Sequence, residues 1–525
     1  MRIEAIDVSV EELKQLVEQA GVGAVPPEGQ RKLMATVETL ATMAGMLAER
    51  DTTIGQLRTM LLGYRTTEKT RKVFEDAPGP DQLDDQLDDQ PDDAAKPDSQ
   101  TDKKPGKKKG HGRNGAAAYS GASKVSVPHP TLKVKDHCPE CWKGKVYPLR
   151  DPKSLVRIIG QPPLQARVFE LESLRCNLCG KVYDPPVPVE AGKEKYDETA
   201  ASMIGMLKYG SGFPFHRTQR LENQFGIPLP AATQWKIVAR SAALLEPVWE
   251  ELIRQAAQGQ VMHNDDTSMR ILRFVREASD SRTGLFTSGI VSLYDEHPIA
   301  LFFTGRQHAG ENLADVLRRR AAQLGPPIQM CDALSRNAPG GLPVILANCL
   351  AHGRRHFVDV VNSFPAQCRY VLETLGEVFH YDGLAREQQM GPDERLRFHQ
   401  KHSAGLMDQL KAWCQQQLDE QKVEPNSGLG KAIRYLLKHW QELTLFLRQA
   451  GAPISNNLCE RALKKAILHR RNSMFFRTQN GARVGDLFMS LIHTAELNGV
   501  NPFDYLTQLQ RHWAELARAP ARWLP

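Results

Sequence analysis

Three acidic residues occupy positions that suit a site for divalent metal ions. Asp265 ends a predicted strand in the run HNDDT, and Asp332 ends another in MCDAL. If a sheet places these strands side by side, the two carboxylates meet, and Glu460 offers a third from a predicted helix that opens with ISNNLCERALKK. Because the chain contains 61 Asp and Glu residues, the prediction depends on these positions and not on acidity alone.

The chemistry expected of such a site is metal-dependent cleavage of a phosphodiester. Carboxylate oxygens are the ligands that Mg²⁺ and Mn²⁺ prefer. Two ions held roughly 4 Å apart activate the attacking oxygen and stabilise the leaving oxygen. Asp266 directly follows Asp265, and successive residues of a strand point to opposite faces, so only one of the two serves as a ligand.

Two C-x-x-C pairs predict a structural zinc ion. Cys138 and Cys141 form the first pair, and Cys176 and Cys179 form the second. Four thiolates at this local spacing fill a tetrahedral site, which leaves no position open for catalysis. Runs such as VRIIG and ARVFELES between the pairs favour the strands of a zinc ribbon. The alternatives are a redox-active pair or four unrelated cysteines.

The run RTQRLENQFGIPLPAATQWKIVARS predicts a helix-turn-helix that binds double-stranded DNA. A glycine-containing turn separates two helical patterns, and the second helix begins near Pro230. That helix carries side chains of types that reach bases or phosphates in a major groove, namely Thr233, Gln234, Lys236 and Arg240. The alternative is an ordinary helical hairpin without a nucleic-acid partner.

Basic residues surround the predicted acidic site in the sequence. Those expected to hold DNA phosphates are Arg354, Arg355, Arg461, Lys464, Arg470 and Arg471. For each of them singly, a solvated helix face is the alternative. Cys349 and His352 form a C-x-x-H pair, which we interpret as a buried cysteine and a hydrogen-bonding histidine that brace the site.

The elements that must position these residues follow a recognisable order. Three predicted strands from residue 259 precede a helix, a fourth strand and a strand–helix unit, which is the order of a ribonuclease-H-like α/β fold. Residues 365–450 are almost purely helical in pattern. We therefore expect a multidomain α/β protein in which a helical insertion interrupts a ribonuclease-H-like catalytic core.

The regions preceding this core differ in composition. Leucine and isoleucine recur every seven residues between Leu33 and Leu61, which favours a coiled coil. An acidic repeat and a lysine-rich block then predict a disordered linker. The predicted regions are 1–74 with the coiled coil, 75–124 as linker, 125–192 as zinc ribbon, 193–256 as helix-turn-helix, 257–362 and 451–525 as catalytic domain, and 363–450 as helical insertion.

Composition narrows the class of protein. The 525 residues carry a net charge of +7, which mildly favours a polyanionic partner. Nine cysteines, an odd number, do not suggest a disulfide framework. Since no run of 18 apolar residues or signal start is found, we expect a cytoplasmic protein associated with DNA and not with a membrane.

Several motifs, taken together, resemble transposases of the insertion sequence 66 family, which are Asp-Asp-Glu enzymes. The motifs that carry the resemblance are LLGYRTTEK, KKGHGR, the two C-x-x-C pairs, DDT at 265–267, CLAHGRRHF at 349–357, SGLGKAIRY at 427–435, ISNNLCERALKKAILHRRNSMFF at 454–476 and SLIHTAELNGVNPFDYL at 490–506. They occur in family order. The sequence departs from the family pattern at Ala333, Leu334 and Leu350.

The resemblance implies an activity and a set of partners. It implies Asp265, Asp332 and Glu460 as catalytic triad, two Mg²⁺ or Mn²⁺ ions, and binding of transposon ends followed by strand cleavage and strand transfer. A homo-oligomer and accessory proteins of the same element are the expected protein partners. The alternatives are a catalytically inactive regulator of transposon origin, and a ribonuclease-H-like nuclease without strand transfer.

Overall fold

The structure is a computed structural model, and it describes residues 130–147, 161, 163–175, 177, 179, 182–192, 194–275, 282–295 and 297–525. The predicted coiled coil and linker, together with Cys176, lie outside the described residues. The chain divides into two units. The main unit contains Phe169–Asn223 and Pro228–Pro525, and the second unit contains Gln224–Ile227 and the described part of Pro78–Val168.

The secondary structure of the described residues is mixed. The strands are β1 (Leu174–Arg175), β2 (Val182–Tyr183), β3 (Val261–Ser268), β4 (Ile271–Arg273), β5 (Phe286–Tyr294), β6 (His297–Gly305), β7 (Ile328–Cys331), β8 (Ile345–Asn348) and β9 (Phe476–Thr478). The α-helices are α1 (Glu198–Gly205), α2 (Phe215–Gln224), α3 (Ala231–Ala256), α4 (Ala309–Leu317), α5 (Leu350–Val358), α6 (Pro365–Glu387), α7 (Pro392–His402), α8 (Ala404–Asp419), α9 (Gly428–Lys438), α10 (Trp440–Leu443), α11 (Asn457–Ser473), α12 (Gln479–Leu497), α13 (Pro502–Arg511) and α14 (Trp513–Arg518). None of the described helices is long and apolar enough to cross a membrane.

A five-stranded sheet forms the centre of the main unit. Its strand order is β6-β5-β3-β7-β8, and the two hairpin connections make β3, β5 and β6 antiparallel. β7 and β8 run parallel to β3, because the connection through α4 brings the chain back to the end of the sheet at which β3 begins. The carboxyl ends of β3, β7 and β8 therefore lie at one edge, as the predicted α/β class requires.

Helix α12 covers the outer edge of β6. Backbone N–H groups on alternate residues of the strand donate to side-chain oxygens of the helix: Ala300 to Thr494 at 3.1 Å, Phe302 to Ser490 at 3.0 Å and Thr304 to Asp486 at 2.7 Å. These groups belong to an edge strand and would otherwise be unpaired. The polar stripe of α12 thus terminates the sheet.

The segment predicted as a helical insertion is helical. Helices α6 to α10 fill most of residues 363–450, and they enclose an apolar core that continues into β7, β8 and α5. Buried cysteines belong to this core, among them Cys368 and Cys414. These helices therefore attach to the sheet on the side of β8, away from α12.

Two strand predictions are wrong in detail. The first of the three strands predicted from residue 259 forms two strands, β3 and β4, which separate at Met269 and Arg270. The run ARVFELES is not a strand, because no neighbouring strand in the described part of the chain pairs with it, and Val168 is 84% exposed. Only Leu174 and Arg175, which follow it, pair with β2.

Candidate active site

Asp265 lies on β3, the middle strand of the sheet. Its antiparallel partner on β5 is Gly289, and a Cβ at that glycine would lie 3.0 Å from the side chain of Leu463 on α11. The Cys459 thiol donates to the Gly289 carbonyl at 3.3 Å. The absence of a side chain at Gly289 therefore lets α11 pack closely against the face of the sheet that bears Asp265.

Asp332 reaches the same place from β7. Met330 pairs with His263 of β3, so two residues further along, Asp332 comes level with Asp265. Glu460, in the first turn of α11, completes the group. Ligand atoms of Asp332, Glu460 and Cys349 lie within 4.8 Å of one another. Asp332 and Glu460 are thus brought to one site, and Asp265 lies close enough to both for their charges to raise its pKa.

The carboxylates of this site are held in surroundings that disfavour negative charge. Burial, together with the charges of Asp332, Asp266 and Glu460, raises the pKa of Asp265 to about 7. Burial also raises the pKa of Glu460, although Arg355, at 3.9 Å, opposes this effect. A cation at the site would relieve the repulsion among these groups.

Two oxygens of the site have no hydrogen-bond donor. Asp332 Oδ1 and Glu460 Oε2 are buried and lack a hydrogen-bond partner among the described residues. Buried polar atoms are almost always paired, so orphaned carboxylate oxygens that converge are a fit for a hard divalent ion. The donor set of Asp265, Asp332 and Glu460 therefore suits Mg²⁺ or Mn²⁺, and the nearby Cys349 thiol adds a softer donor.

Asp266 points to the opposite face of β3. Its carboxylate lies 2.8 Å from His308 Nδ1 and 3.3 Å from the Arg336 guanidinium, and it accepts a hydrogen bond from the backbone N–H of Ala309 at 3.4 Å. With a side chain that is 1% exposed, Asp266 joins β3 to the start of α4. The contacts of Asp266 are therefore structural, and replacing this residue would weaken the connection between β3 and α4.

Asn456 holds the Glu460 helix against β3. Its side-chain amide donates to the Asn264 carbonyl at 3.1 Å, and its Oδ1 lies 3.2 Å from His263 Nδ1. Its backbone N–H donates to the Cys349 sulfur at 3.2 Å. Asn456 is fully buried, and its contacts fix the start of α11 relative to β3 and α5. This role was missed in the sequence, where the run ISNN merely marks a helix start.

A network of hydrogen-bonded, buried side-chain amides supports the turn after Asp332 from the opposite face of the sheet. Gln329 Nε2 donates to Asn264 Oδ1 at 2.8 Å and to the Asn337 carbonyl at 2.6 Å. Asn264 Nδ2 donates to the same carbonyl at 2.9 Å. Asn337 is the last residue of a short 3₁₀ helix, Ser335–Asn337, so the network holds the turn that directly follows Asp332.

The C-x-x-H pair braces the site. His352 Nδ1 lies 3.0 Å from Asp332 Oδ2. Burial lowers the pKa of His352, but the contact with Asp332 outweighs it, so the pKa is raised overall. The ring of His356 packs on Tyr435 with centroids 4.4 Å apart, and the ring of His352 lies next to both. Helix α9 of the insertion therefore supports α5 beneath the carboxylates.

Comparison with known proteins agrees with this geometry. The model of a family described as "Transposase IS66 family" matches residues 193–484, which is more than half of the chain and includes all three acids. The chain belongs to the IS66 transposase family. The match begins after both cysteine pairs, so the family assignment rests on the helical region, the sheet and the insertion.

Two relatives of this IS66-family protein come from Sinorhizobium fredii (strain NBRC 101917 / NGR234). Protein y4jD is 27% identical over 358 residues, which is 64% of this chain and 66% of that protein. Protein y4hP is 26% identical over 375 residues, which is 66% of this chain and 65% of that protein. The chain thus covers just under two thirds of each relative, and both are described as uncharacterized.

The basic residues expected to hold DNA phosphates differ in their exposure. Arg354 is buried, and the Arg470 guanidinium donates to the Thr267 hydroxyl at 2.9 Å and to the Ser268 carbonyl at 2.6 Å. The phosphate contacts expected of these two arginines are therefore not supported, because their guanidinium groups are used within the fold. Arg355 is 30% exposed beside Glu460. The exposed ones are Arg461, Lys464 and Arg471.

The helix-turn-helix prediction needs one correction. Helices α2 and α3 are present, but Gln234 is fully buried, and its amide donates to the carbonyls of Phe215 and Leu229, each at 3.0 Å. Gln234 therefore holds the two helices together and does not reach DNA. Lys236 is exposed, Thr233 is half-buried, and Arg240 is an exposed partner of Glu194 at 3.3 Å.

The first cysteine pair occupies a tight turn of the second unit. The Cys138 N–H donates to the Gly144 carbonyl at 2.8 Å, and the Trp142 N–H donates to the Cys138 carbonyl at 2.9 Å. The backbone N–H of Gly144 lowers the pKa of Cys141, which favours the thiolate. In the main unit, Cys179 is exposed between β1 and β2.

We expect Asn456→Ala to destabilise the protein by about 1–3 kcal/mol, because buried partners on β3 lose their hydrogen bonds. Asn457→Ala is the matched control, since the neighbouring Asn457 side-chain oxygen has no hydrogen-bond partner among the described residues. Thermal unfolding of the two variants measures the difference. Equal unfolding temperatures for both variants and the parent would show that Asn456 does not hold α11.

Proposed function

We propose that the protein is a DNA transposase that binds the ends of its insertion sequence and catalyses metal-dependent strand cleavage and strand transfer. The observation that carries the proposal is the convergence of Asp332 and Glu460, each with an orphaned carboxylate oxygen, beside Asp265 and inside the family match. Family membership alone supports an enzyme that acts on DNA. The geometry of the acids supports the particular chemistry.

We further propose that the sheet is a ribonuclease-H-like core interrupted by the helical insertion. Three antiparallel strands followed by two parallel strands support this assignment, as does the late helix that brings Glu460 to β3. In this fold, the acids belong to separate elements. Each then needs its own support, which Gly289, Asn456 and His352 provide.

Asp265, Asp332 and Glu460 are proposed to hold two divalent ions, Mg²⁺ or Mn²⁺. When bound, such ions supply activation of the attacking oxygen and stabilisation of the leaving oxygen. His352 Nδ1 lies 3.0 Å from one Asp332 oxygen, and the other oxygen, which has no hydrogen-bond partner among the described residues, is the proposed metal ligand. Arg355, partly exposed beside Glu460, is placed to hold the phosphate of the cleaved strand.

DNA binding is assigned to the exposed face of α3 and to the exposed basic residues near the site. Lys236 and Arg240 lie one helical turn apart on the exposed face, opposite Gln234 and Val238. Arg461, Lys464 and Arg471 are exposed on α11, which also carries Glu460. A homo-oligomer and accessory proteins of the same element are the proposed protein partners.

A structural zinc ion held by Cys138, Cys141, Cys176 and Cys179 is also proposed. The turn around Cys138 and the thiolate-favouring surroundings of Cys141 support it. We expect about one zinc per full-length chain by elemental analysis, and we expect Cys179→Ser to lose the ion. Cys414→Ala, in the apolar core, should retain it. Folded parent protein without zinc would refute the assignment.

Replacing the acids tests the catalytic proposal. Asp265→Asn, Asp332→Asn and Glu460→Gln should each lower cleavage and joining of transposon-end DNA on the order of a thousandfold or more, because each removes a charge that holds the ions. End binding should persist, as measured by fluorescence anisotropy. The control is Asp315→Asn, an exposed acid on α4. Variants that bind and cleave like the parent would favour a regulator in place of an enzyme.

Replacing Lys236 tests the DNA-binding proposal. Lys236→Ala should weaken end binding and lower the slope of log affinity against log salt by about one, because one phosphate contact is lost. Lys422→Ala, an exposed lysine of the insertion paired with Glu420, is the matched control. An unchanged affinity and salt slope for Lys236→Ala would mean that α3 does not contact DNA.

A further inference from the structure

A second, two-stranded sheet extends the chain directly beyond β3. Strands β4 and β9 pair in parallel, with Ile271 opposite Phe476. These two side chains are buried, and Phe476 stacks on the buried ring of His469 with centroids 4.3 Å apart. One face of this small sheet is therefore anchored in the main unit, and the opposite face is not.

The outward face combines apolar and cationic side chains. Residues adjacent to Ile271 and Phe476 point away from the core, which places Arg270 and Leu272 beside Phe475 and Arg477. Leu272 is 52% exposed and Phe475 is 38% exposed. The pairing sets Arg270 next to Phe475 and Leu272 next to Arg477. We call these four residues the β4–β9 platform.

The backbone before the platform is strained. Met474 has φ 66°, in the left-handed region that side chains other than glycine rarely adopt, and it is 64% exposed. Such a conformation costs free energy and is found most often at functional sites. Here it ends α11 and places two large apolar residues, Met474 and Phe475, at the surface.

The two chain segments that carry the platform contain only basic charged residues. The sequence contains no acidic residue from Thr267 to Val275 or from Arg461 to Gly485. Among the described residues, no ion pair is found for Arg270 or Arg477. The platform also lies near the carboxylates, because Leu272 follows Asp265 by seven residues, at most about 24 Å of extended chain.

We propose that the β4–β9 platform binds unpaired nucleotides of a DNA strand next to the cleaved phosphodiester. A DNA duplex would present phosphates and base edges to the arginines, and Leu272 and Phe475 would remain exposed to water. Unpaired bases offer their flat faces, which stack on aromatic rings and on guanidinium groups, while the same arginines hold the phosphates. This inference deepens the proposed function and rests on it.

Binding of a 20-nucleotide oligothymidine by the full-length chain tests the proposal. We expect Phe475→Ala to weaken this binding at least fivefold, and a blunt 20-base-pair duplex to bind the parent and the variant within twofold of each other. Phe475→Trp should keep the parent affinity because it keeps a stacking surface. Phe475→Leu should behave like Phe475→Ala. Trp513→Ala, at an exposed tryptophan of α14, is the control.

Three results would overturn the proposal. Equal oligothymidine affinity for the parent and Phe475→Ala would mean that the ring does not contact bases. If Phe475→Ala weakened single-strand and duplex binding equally, the platform would contact only phosphates and not bases. Parent-like binding by Phe475→Leu would indicate simple apolar burial, as expected if another protein segment covers the surface.

The outcome is separable from that of the proposed function. If the platform variants bind oligothymidine like the parent while Asp265→Asn abolishes cleavage, the platform assignment fails and the transposase assignment stands. If Phe475→Ala weakens single-strand binding while the acid variants cleave like the parent, the platform stands and the catalytic assignment fails. Phe475 is partly exposed, so its variants should unfold at the parent temperature, which thermal unfolding checks.

Discussion

The position of Glu460 depends on one buried amide. Asn456 contacts His263 and the Asn264 carbonyl on β3 and the Cys349 sulfur at the start of α5, so a single residue ties the start of α11 to both of these elements. An alkyl side chain could fill the same volume but would leave these buried polar partners unpaired. Packing of α11 against Gly289 brings the helix close to the sheet, whereas the hydrogen bonds of Asn456 fix the orientation of the helix.

Placing three carboxylates together opposes folding, and several features of the structure offset this cost. Glu460 lies in the first turn of α11, where the helix dipole favours negative charge, and Arg355 lies nearby. His352 lies 3.0 Å from an Asp332 oxygen, and this contact raises the pKa of His352, which favours its charged form. The raised pKa values of Asp265 and Glu460 show that repulsion and burial are not fully compensated within the protein. The remaining imbalance is what a divalent cation would satisfy.

The sequence predicted the acids better than it predicted their surroundings. Asp332 directly follows β7 as expected, whereas Asp265, expected at a strand end, lies within β3, which continues to Ser268. The two residues still come level because β3 and β7 pair in parallel, and the late helix bearing Glu460 is visible from its pattern. Gln234 was assigned to DNA because its residue type reaches bases or phosphates, and Arg470 because it is one of several basic residues around the predicted acids. Their partners, the Phe215 and Leu229 carbonyls for Gln234 and the Thr267–Ser268 turn for Arg470, become neighbours only in the fold. No local pattern could have identified Asn456 as the residue that joins these elements.

The helix that replaces a sixth strand at the edge of β6 has a geometric limit. Successive oxygens on α12 are four helical residues apart, about 6.0 Å, whereas alternate N–H groups of a strand recur about every 6.8 Å. The two repeats drift apart by about 0.8 Å with each bond, so the match between donors and acceptors worsens along the edge. Thr494, Ser490 and Asp486 supply the three bonds that α12 makes here. A helix therefore suits only a short stretch of an edge strand, whereas a further strand, which has the same repeat, would pair along the whole of β6.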